Sequence, residues 1–269
     1  MLYTKHMQVF VFIIGAIVGS FLNVVVLRYN TGRSLAGRSG CMTCGEKLAW
    51  RDLIPIVSYF THGGHCQACH SRISFQYPVV EIITGLAFVF VAELFPPLTL
   101  MGAALFMVAI VGVVFLLGIV VYDVHHGIIP DGLVYGFVIC GLLFRTITDG
   151  GALLWPLLAG PLVALPFVIL WSVSKGRWMG FGDAKLALGM GWFLGIVGGY
   201  SAVIIAFWIG AVWSVSVMAL GMVEKRMRSG LFLSLRRLTM KSEVPFAPFL
   251  ALGFILVFLF GLDVISLFS

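Results

Sequence analysis

The chain has 269 residues, 61% of them hydrophobic and only 10% charged, with a mean hydropathy of +1.09; soluble domains carry roughly 25% charged residues. That composition excludes a soluble globular protein and makes the membrane span, ~20 apolar residues per helix crossing, the unit of reading. The excess of 17 Lys and Arg over 11 Asp and Glu is therefore first a record of which loop faces which side, before it is a sign of nucleic acid.

Long apolar runs bounded by charges, Pro and Gly predict about eight transmembrane helices, near 9–27, 79–95, 98–121, 132–147, 152–174, 185–199, 201–223 and 246–265. The first run follows Lys5 but is too long for a signal-peptide core and has no small-residue cleavage site after it, so it reads as a span. On it Gly15, Gly19 and Asn23 recur every four residues, a small-residue packing face with one polar tie. The sixth run is short and glycine-rich. Eight spans place both termini on one side. Arg28, Arg33, Arg38, Lys47, Arg51 and Arg72 then share the opposite side with Lys175, Arg177 and Lys185 and with the basic run Lys225 to Lys241, leaving only Lys5 and Arg145 across the membrane. So strong a bias makes that side cytoplasmic and both termini external. Basic residues spread over loops in this way, with no RNA- or DNA-binding motif among them, imply no nucleic-acid partner. The lipid bilayer is the expected partner, and an anionic-lipid contact by 225–241 is open.

The first cytoplasmic segment, 28–78, holds four of the five cysteines as Cys41-x-x-Cys44 and Cys66-x-x-Cys69. Two such knuckles complete a tetrahedral four-cysteine zinc site. Gly45 after the first knuckle and Gly63-Gly64 before the second suit tight turns. The competing reading, a pair of disulfides, conflicts with a reducing cytoplasm. A closed four-sulfur shell would be structural and would add folding energy to a segment of ~50 residues that has little core of its own. His62, His65 and His70 flank the second knuckle and read as neighbours, and Cys140 reads as a small buried apolar residue.

Ionisable groups within or abutting spans are expensive and mark function by default. Asp123 closes the third span in the run Tyr122-Asp123-Val-His-His-Gly-Ile-Ile-Pro130-Asp131, and Asp183 opens the sixth in Gly180-Phe-Gly182-Asp183-Ala-Lys185. Both fall at cytoplasmic helix ends, where they can meet. Two carboxylates in one site do not both ionise easily, so the pair shares a proton and can offer both a base and an acid to a water molecule. Gly180 and Gly182 would let the backbone unwind and a peptide approach Asp183. For either aspartate alone, a helix cap or an interfacial charge is the simpler reading. Glu81, near the cytoplasmic start of the second span, either lines the substrate site or pairs with Arg72. Lys185 either holds Asp183 or a peptide carboxylate, or is one more cytoplasmic charge. Asp131 is the rival second carboxylate, or caps the fourth span.

In order, Gly19-Ser-Phe-Leu-Asn23, the two Cys-x-x-Cys knuckles, Gln76-Tyr77-Pro78-Val-Val-Glu81, Asp123 with Ile129-Pro130-Asp131, Gly180-Phe-Gly182-Asp183-Ala-Lys185, and Pro245-Phe246-Ala247-Pro248-Phe249 resemble the type IV prepilin peptidases, membrane aspartic proteases with a Gly-x-Gly-Asp motif. The resemblance implies that Asp123 and Asp183 are the catalytic pair and that Gly180, Gly182, Lys185 and Glu81 support them. It implies substrates that are prepilins or pseudopilins of type IV pili, type II secretion or competence systems, cut after Gly at the cytoplasmic face of a bacterial inner membrane. It also implies methylation of the new amino terminus with S-adenosylmethionine as donor, although no Rossmann glycine fingerprint marks a donor site. The expected organisation is a first helix over 1–27, a zinc-binding segment over 28–78 and a seven-helix peptidase core over 79–269. Oligomeric state is not read from the sequence. A peptidase without methyl transfer is the alternative within the class, and a multi-span transporter or assembly scaffold with a zinc loop is the alternative outside it.

Overall fold

The computed structural model describes residues 5–31, 34, 37, 39–150, 154–227 and 245–265. Most of the expected basic connection 224–245 lies outside them, as do Arg33 and Arg38. The described residues form eight α-helices: α1 (Lys5–Arg28), α2 (Val57–Thr61), α3 (Gln76–Leu94), α4 (Leu100–His126), α5 (Asp131–Thr148), α6 (Leu154–Ser174), α7 (Phe181–Met227) and α8 (Ala247–Phe260). A 3-10 turn, Trp50–Leu53, precedes α2. Strand pairing among the described residues is confined to two isolated bridges, Gly40 with Lys47 and His65 with Arg72. The fold is all-α, as the apolar runs predict.

Six helices, α1 and α3 to α7, are long and apolar enough to cross a membrane, and α8 is a shorter apolar helix. At ~1.5 Å per residue, the 47 residues of α7 would be more than twice as long as the ~30 Å hydrocarbon core. The helix does not run straight. Gly195 has φ 75° and ψ −175°, a conformation open to glycine almost alone. A Cβ on Gly199 would lie 3.3 Å from the Gly191 Cα, whereas residues eight apart on a straight helix are separated by ~12 Å. The chain therefore folds back at Gly195 into two legs, α7a (181–194) and α7b (196–227). With them the apolar helical segments number eight, matching the expected spans. The break falls at Gly195 rather than at 200, because Gly198 and Gly199 are consumed in close packing inside α7b.

Between α1 and α3 the expected small-residue face is present. A Cβ on Gly15 would meet the Gly85 Cα at 2.8 Å, and one on Gly19 the Glu81 Cα at 2.9 Å. The Asn23 amide donates to the Tyr77 carbonyl at 3.3 Å. The centre of the bundle is aromatic, with Phe137 stacked on Phe193, Phe254 stacked on Phe258, and both pairs meeting edge to face. Cys140 is buried among these helices, as an apolar residue would be.

Helix α6 contains Pro161 and Pro166. Each proline lacks the N–H that would bond to the carbonyl four residues earlier, and in a membrane such a carbonyl needs another partner within the protein. The two carbonyls concerned are those of Leu157 and Leu162, and both are claimed by α7. The Trp192 indole N–H donates to Leu157 O at 3.0 Å, and the Tyr200 hydroxyl donates to Leu162 O at 2.7 Å. One donor stands on each leg, so the prolines of α6 fix the α7 turn. Tyr200→Phe should cost ~1 kcal/mol in the intact protein and clearly less in a Pro166→Ala background, where the restored N–H satisfies Leu162. Equal losses in the two backgrounds, measured by thermal unfolding in detergent, would contradict this pairing.

Candidate active site

Helix α4 ends where Gly127 takes the left-handed conformation, φ 66°, and its N–H bonds to the Asp123 carbonyl at 2.8 Å. The helix thus runs past Asp123 to His126, five residues beyond the expected end of the span. Asp123 is buried, with 4% of its surface exposed. Its Oδ2 accepts the Ala247 backbone N–H at 3.2 Å. Ala247 is the first residue of α8, whose N-cap position, Phe246, supplies no side-chain cap. A carboxylate 124 residues away in sequence thus caps this helix, and the positive end of α8 points at Asp123.

Asp183 is the third residue of α7 and is also buried, at 8% exposed. Its position is set by a close approach of backbones. A Cβ on Gly182 would lie 2.7 Å from the Ile129 Cβ, so the missing side chain lets the loop after α4 seat against the start of α7. The two carboxylates are close enough to interact electrostatically. The structure buries both aspartates within electrostatic reach of each other and adds the α8 terminus at Asp123. The sequence pattern marked the Pro245-to-Phe249 run but not the backbone N–H it contributes. Gly182 is already helical, whereas Gly180 lies outside the helix. Beside Gly180 a Cβ would meet only the Gly182 nitrogen, at 3.9 Å.

Lys185 does not reach for Asp183. Its Nζ lies 2.6 Å from Asp131 Oδ1 and over the rings of Tyr135 and Phe181. This ion pair occupies the rival carboxylate and ties the first turn of α5 to the second turn of α7. Nor does Asp131 cap α5: the N-cap is Pro130, without a side-chain hydrogen bond, and Asp131 is the first helical residue.

Glu81 is buried on α3, and its partner is not Arg72. Its Oε2 accepts the Ile56 backbone N–H at 2.7 Å. Ile56 has φ 65° and ψ −55° and sits at the centre of a three-residue turn closed by the Val57 N–H on the Pro55 carbonyl, 2.6 Å. This is the strained form of the γ-turn, costly for a β-branched residue, and the Glu81 carboxylate holds it.

The four cysteines 41, 44, 66 and 69 bring their sulfurs within 4.8 Å of one another, with Cys41 and Cys69 3.8 Å apart. The knuckles repeat one design. In the first, the Cys41 N–H bonds to Glu46 O and the Gly45 N–H to Cys41 O; in the second, the Cys66 N–H bonds to Ser71 O and the His70 N–H to Cys66 O, all at 2.9 Å. Gly45 and His70 fill equivalent left-handed positions, φ 76° and 56°. The Cys44 backbone N–H, followed by the Ser71 hydroxyl, brings the Cys41 thiol down to about 5, and Ser71 also lowers Cys69. The Glu46 backbone N–H pulls the Cys44 thiol down, but desolvation and the neighbouring sulfurs together push it up to about 12. Four cysteine sulfurs held so close together could hold a metal ion. Two of the nearby histidines are engaged elsewhere: His62 with Asp52 at 3.1 Å, and His65 with the Gly63 carbonyl at 2.7 Å.

Residues 13–95 match the bacterial peptidase A24 N-terminal domain, and residues 110–215 match the type IV leader peptidase family. A prepilin leader peptidase/N-methyltransferase of Bacillus subtilis (strain 168) is 30% identical over 263 residues, 95% of either chain. Proteins of the same name are 30% identical in Burkholderia pseudomallei (strain 1026b), over 94% of this chain and 85% of that one, and 28% identical in Pseudomonas aeruginosa, over 93% and 89%. No solved structure matches. The first matched region contains the cysteine cluster and Glu81, the second contains Asp123 and Asp183, and with relatives aligned over nearly its whole length the chain belongs to the type IV leader peptidase family.

Proposed function

We propose that this protein is a membrane aspartic endopeptidase that removes the leader from prepilins or pseudopilins, cutting after Gly at the cytoplasmic face of a bacterial inner membrane, and that it then methylates the new amino terminus. What supports the reading is a pair of buried carboxylates from separate helices, Asp123 and Asp183, within electrostatic reach of each other, with the positive end of α8 on Asp123. In this reading the Ala247 N–H and the α8 terminus stabilise negative charge on Asp123, which takes a proton from a water molecule between the carboxylates. The water oxygen bonds to the carbonyl carbon of the Gly peptide bond. Asp183 gives its proton to the departing nitrogen as the C–N bond breaks, leaving a leader with a carboxyl terminus and a mature protein with a free amine. Gly182 and the Lys185–Asp131 pair set the spacing of the carboxylates from behind. Glu81 acts on the cytoplasmic segment through Ile56.

The sidedness follows from the basic loops: the cysteine segment and the aspartate pair face the cytoplasm and both termini face outward. The organisation in this reading is a first helix over 1–27, a metal-binding segment over 28–78 and a peptidase core over 79–269. Cys41, Cys44, Cys66 and Cys69 would hold a structural zinc ion, which contributes folding energy to the segment. The methyl donor is S-adenosylmethionine in this reading, with no residue assigned to hold it. Methyl transfer is supported by the shared name of the aligned relatives.

Asp123→Asn and Asp183→Asn should each lower prepilin cleavage by at least ~10²-fold, the scale of a lost general acid or base, with the protein still inserted and folded. Retained cleavage by either purified variant would overturn the assignment. Cys41→Ser should lose the bound zinc, measured by elemental analysis, and lower the melting temperature while leaving the carboxylates in place. Active wild-type protein without zinc would count against the metal site.

A further inference from the structure

The segment between α1 and α3 is water-facing by topology, yet its 3-10 turn and α2 present an apolar surface. Trp50 is 71% exposed, Val57 54% and Phe60 62%, with Leu53 and Ile54 exposed beside them. A patch of this kind on a soluble loop marks a partner, and its height in the molecule says which. Ile56, in the middle of the run, is hydrogen-bonded to Glu81. Glu81 lies five residues into α3, ~7 Å along the helix from its start at ~1.5 Å per residue. The turn and α2 are thus held beside the second turn of a membrane-spanning helix, above that helix's own exposed residues Ile83, Leu86 and Phe90, which the bilayer must cover.

The polar groups of the segment fit the same placement. The Asp52 carboxylate is satisfied internally, accepting the Ala49 N–H at 2.9 Å and pairing with His62. Arg51, the exposed cation of the run, stacks over the Trp50 ring at 5.3 Å. An indole with a guanidinium beside it belongs at the headgroup level, where the ring is half-buried and the cation meets phosphate.

We infer that Trp50–Thr61 is an interfacial anchor lying in the cytoplasmic leaflet, its apolar face continuous with the lipid-facing side of α3, and that the metal-binding knuckles are mounted on it. Glu81 is the bracket that sets its depth. The inference rests on the chain being a multi-pass membrane protein and not on the peptidase reading, so the two can fail separately.

The test uses the full chain in proteoliposomes of phosphatidylethanolamine and phosphatidylglycerol. A diazirine-bearing amino acid replaces Val57 or Phe60, with Ile83 as the lipid-facing reference and Glu46 as the reference on a knuckle. After irradiation, mass spectrometry should find phospholipid adducts at 57 and 60 at a yield comparable to that at 83, and none at 46. Adducts at 57 and 60 with water alone would overturn the inference. So would replacement of the lipid adducts by peptide adducts on adding a prepilin, which would give the surface to the substrate. As a second measurement, trypsin cleavage after Arg51 should be slow in the wild type and fast in a Val57→Asp, Phe60→Asp double variant with an unchanged melting temperature in detergent. Equal cleavage rates would also overturn it.

Discussion

The structure depends on one constraint: a polar group at membrane depth must find its partner within the protein. Asp123 finds the open end of α8. The Leu157 and Leu162 carbonyls, released by Pro161 and Pro166, find Trp192 and Tyr200. Glu81 finds the N–H of a strained turn, and Lys185 finds Asp131. Each pairing crosses from one element to another, so the satisfied polar groups also fix the geometry of the bundle.

Close backbone approach does the rest. In a bilayer the helices gain little from hiding apolar surface from each other, and small residues let packing and hydrogen bonds take over. Gly182 against Ile129 is the instance that matters most for the site, because it seats the loop leaving α4 on the first turn of α7. Asp183 follows Gly182 directly, and Asp123 lies six residues before Ile129, at the end of the helix that the loop leaves. The α7 turn at Gly195 belongs to the same logic. It brings α7b back beside α8, where Gly210 meets Phe249, and so supports the helix whose terminus faces Asp123.

The spans and the aspartates were legible in the sequence because their signals are local: an apolar run between charges, or a carboxylate beside a glycine pair. The cysteine cluster was legible for the same reason, since two knuckles announce their own turns. What escaped is nonlocal. Nothing in the run around Glu81 says that it serves Ile56, and the more obvious partner, Arg72, was nearer in sequence. Lys185, two residues from Asp183, suggested a direct contact, but on a helix residues two apart do not share a face. The apolar runs put the break in α7 near 200, just after Gly198-Gly199. Only the packing against Val163 and Gly191 shows that these are interior positions.

The central claim is that a single carboxylate pair, and nothing else in the chain, hydrolyses the leader bond. The most direct measurement supplies the purified Asp183→Asn variant with labelled S-adenosylmethionine and two substrates in parallel, an intact prepilin and the same protein already freed of its leader. The account predicts no cleavage of the first and methyl transfer to the amino terminus of the second, the latter showing the variant folded and competent. Cleavage of the intact prepilin by that variant would contradict it.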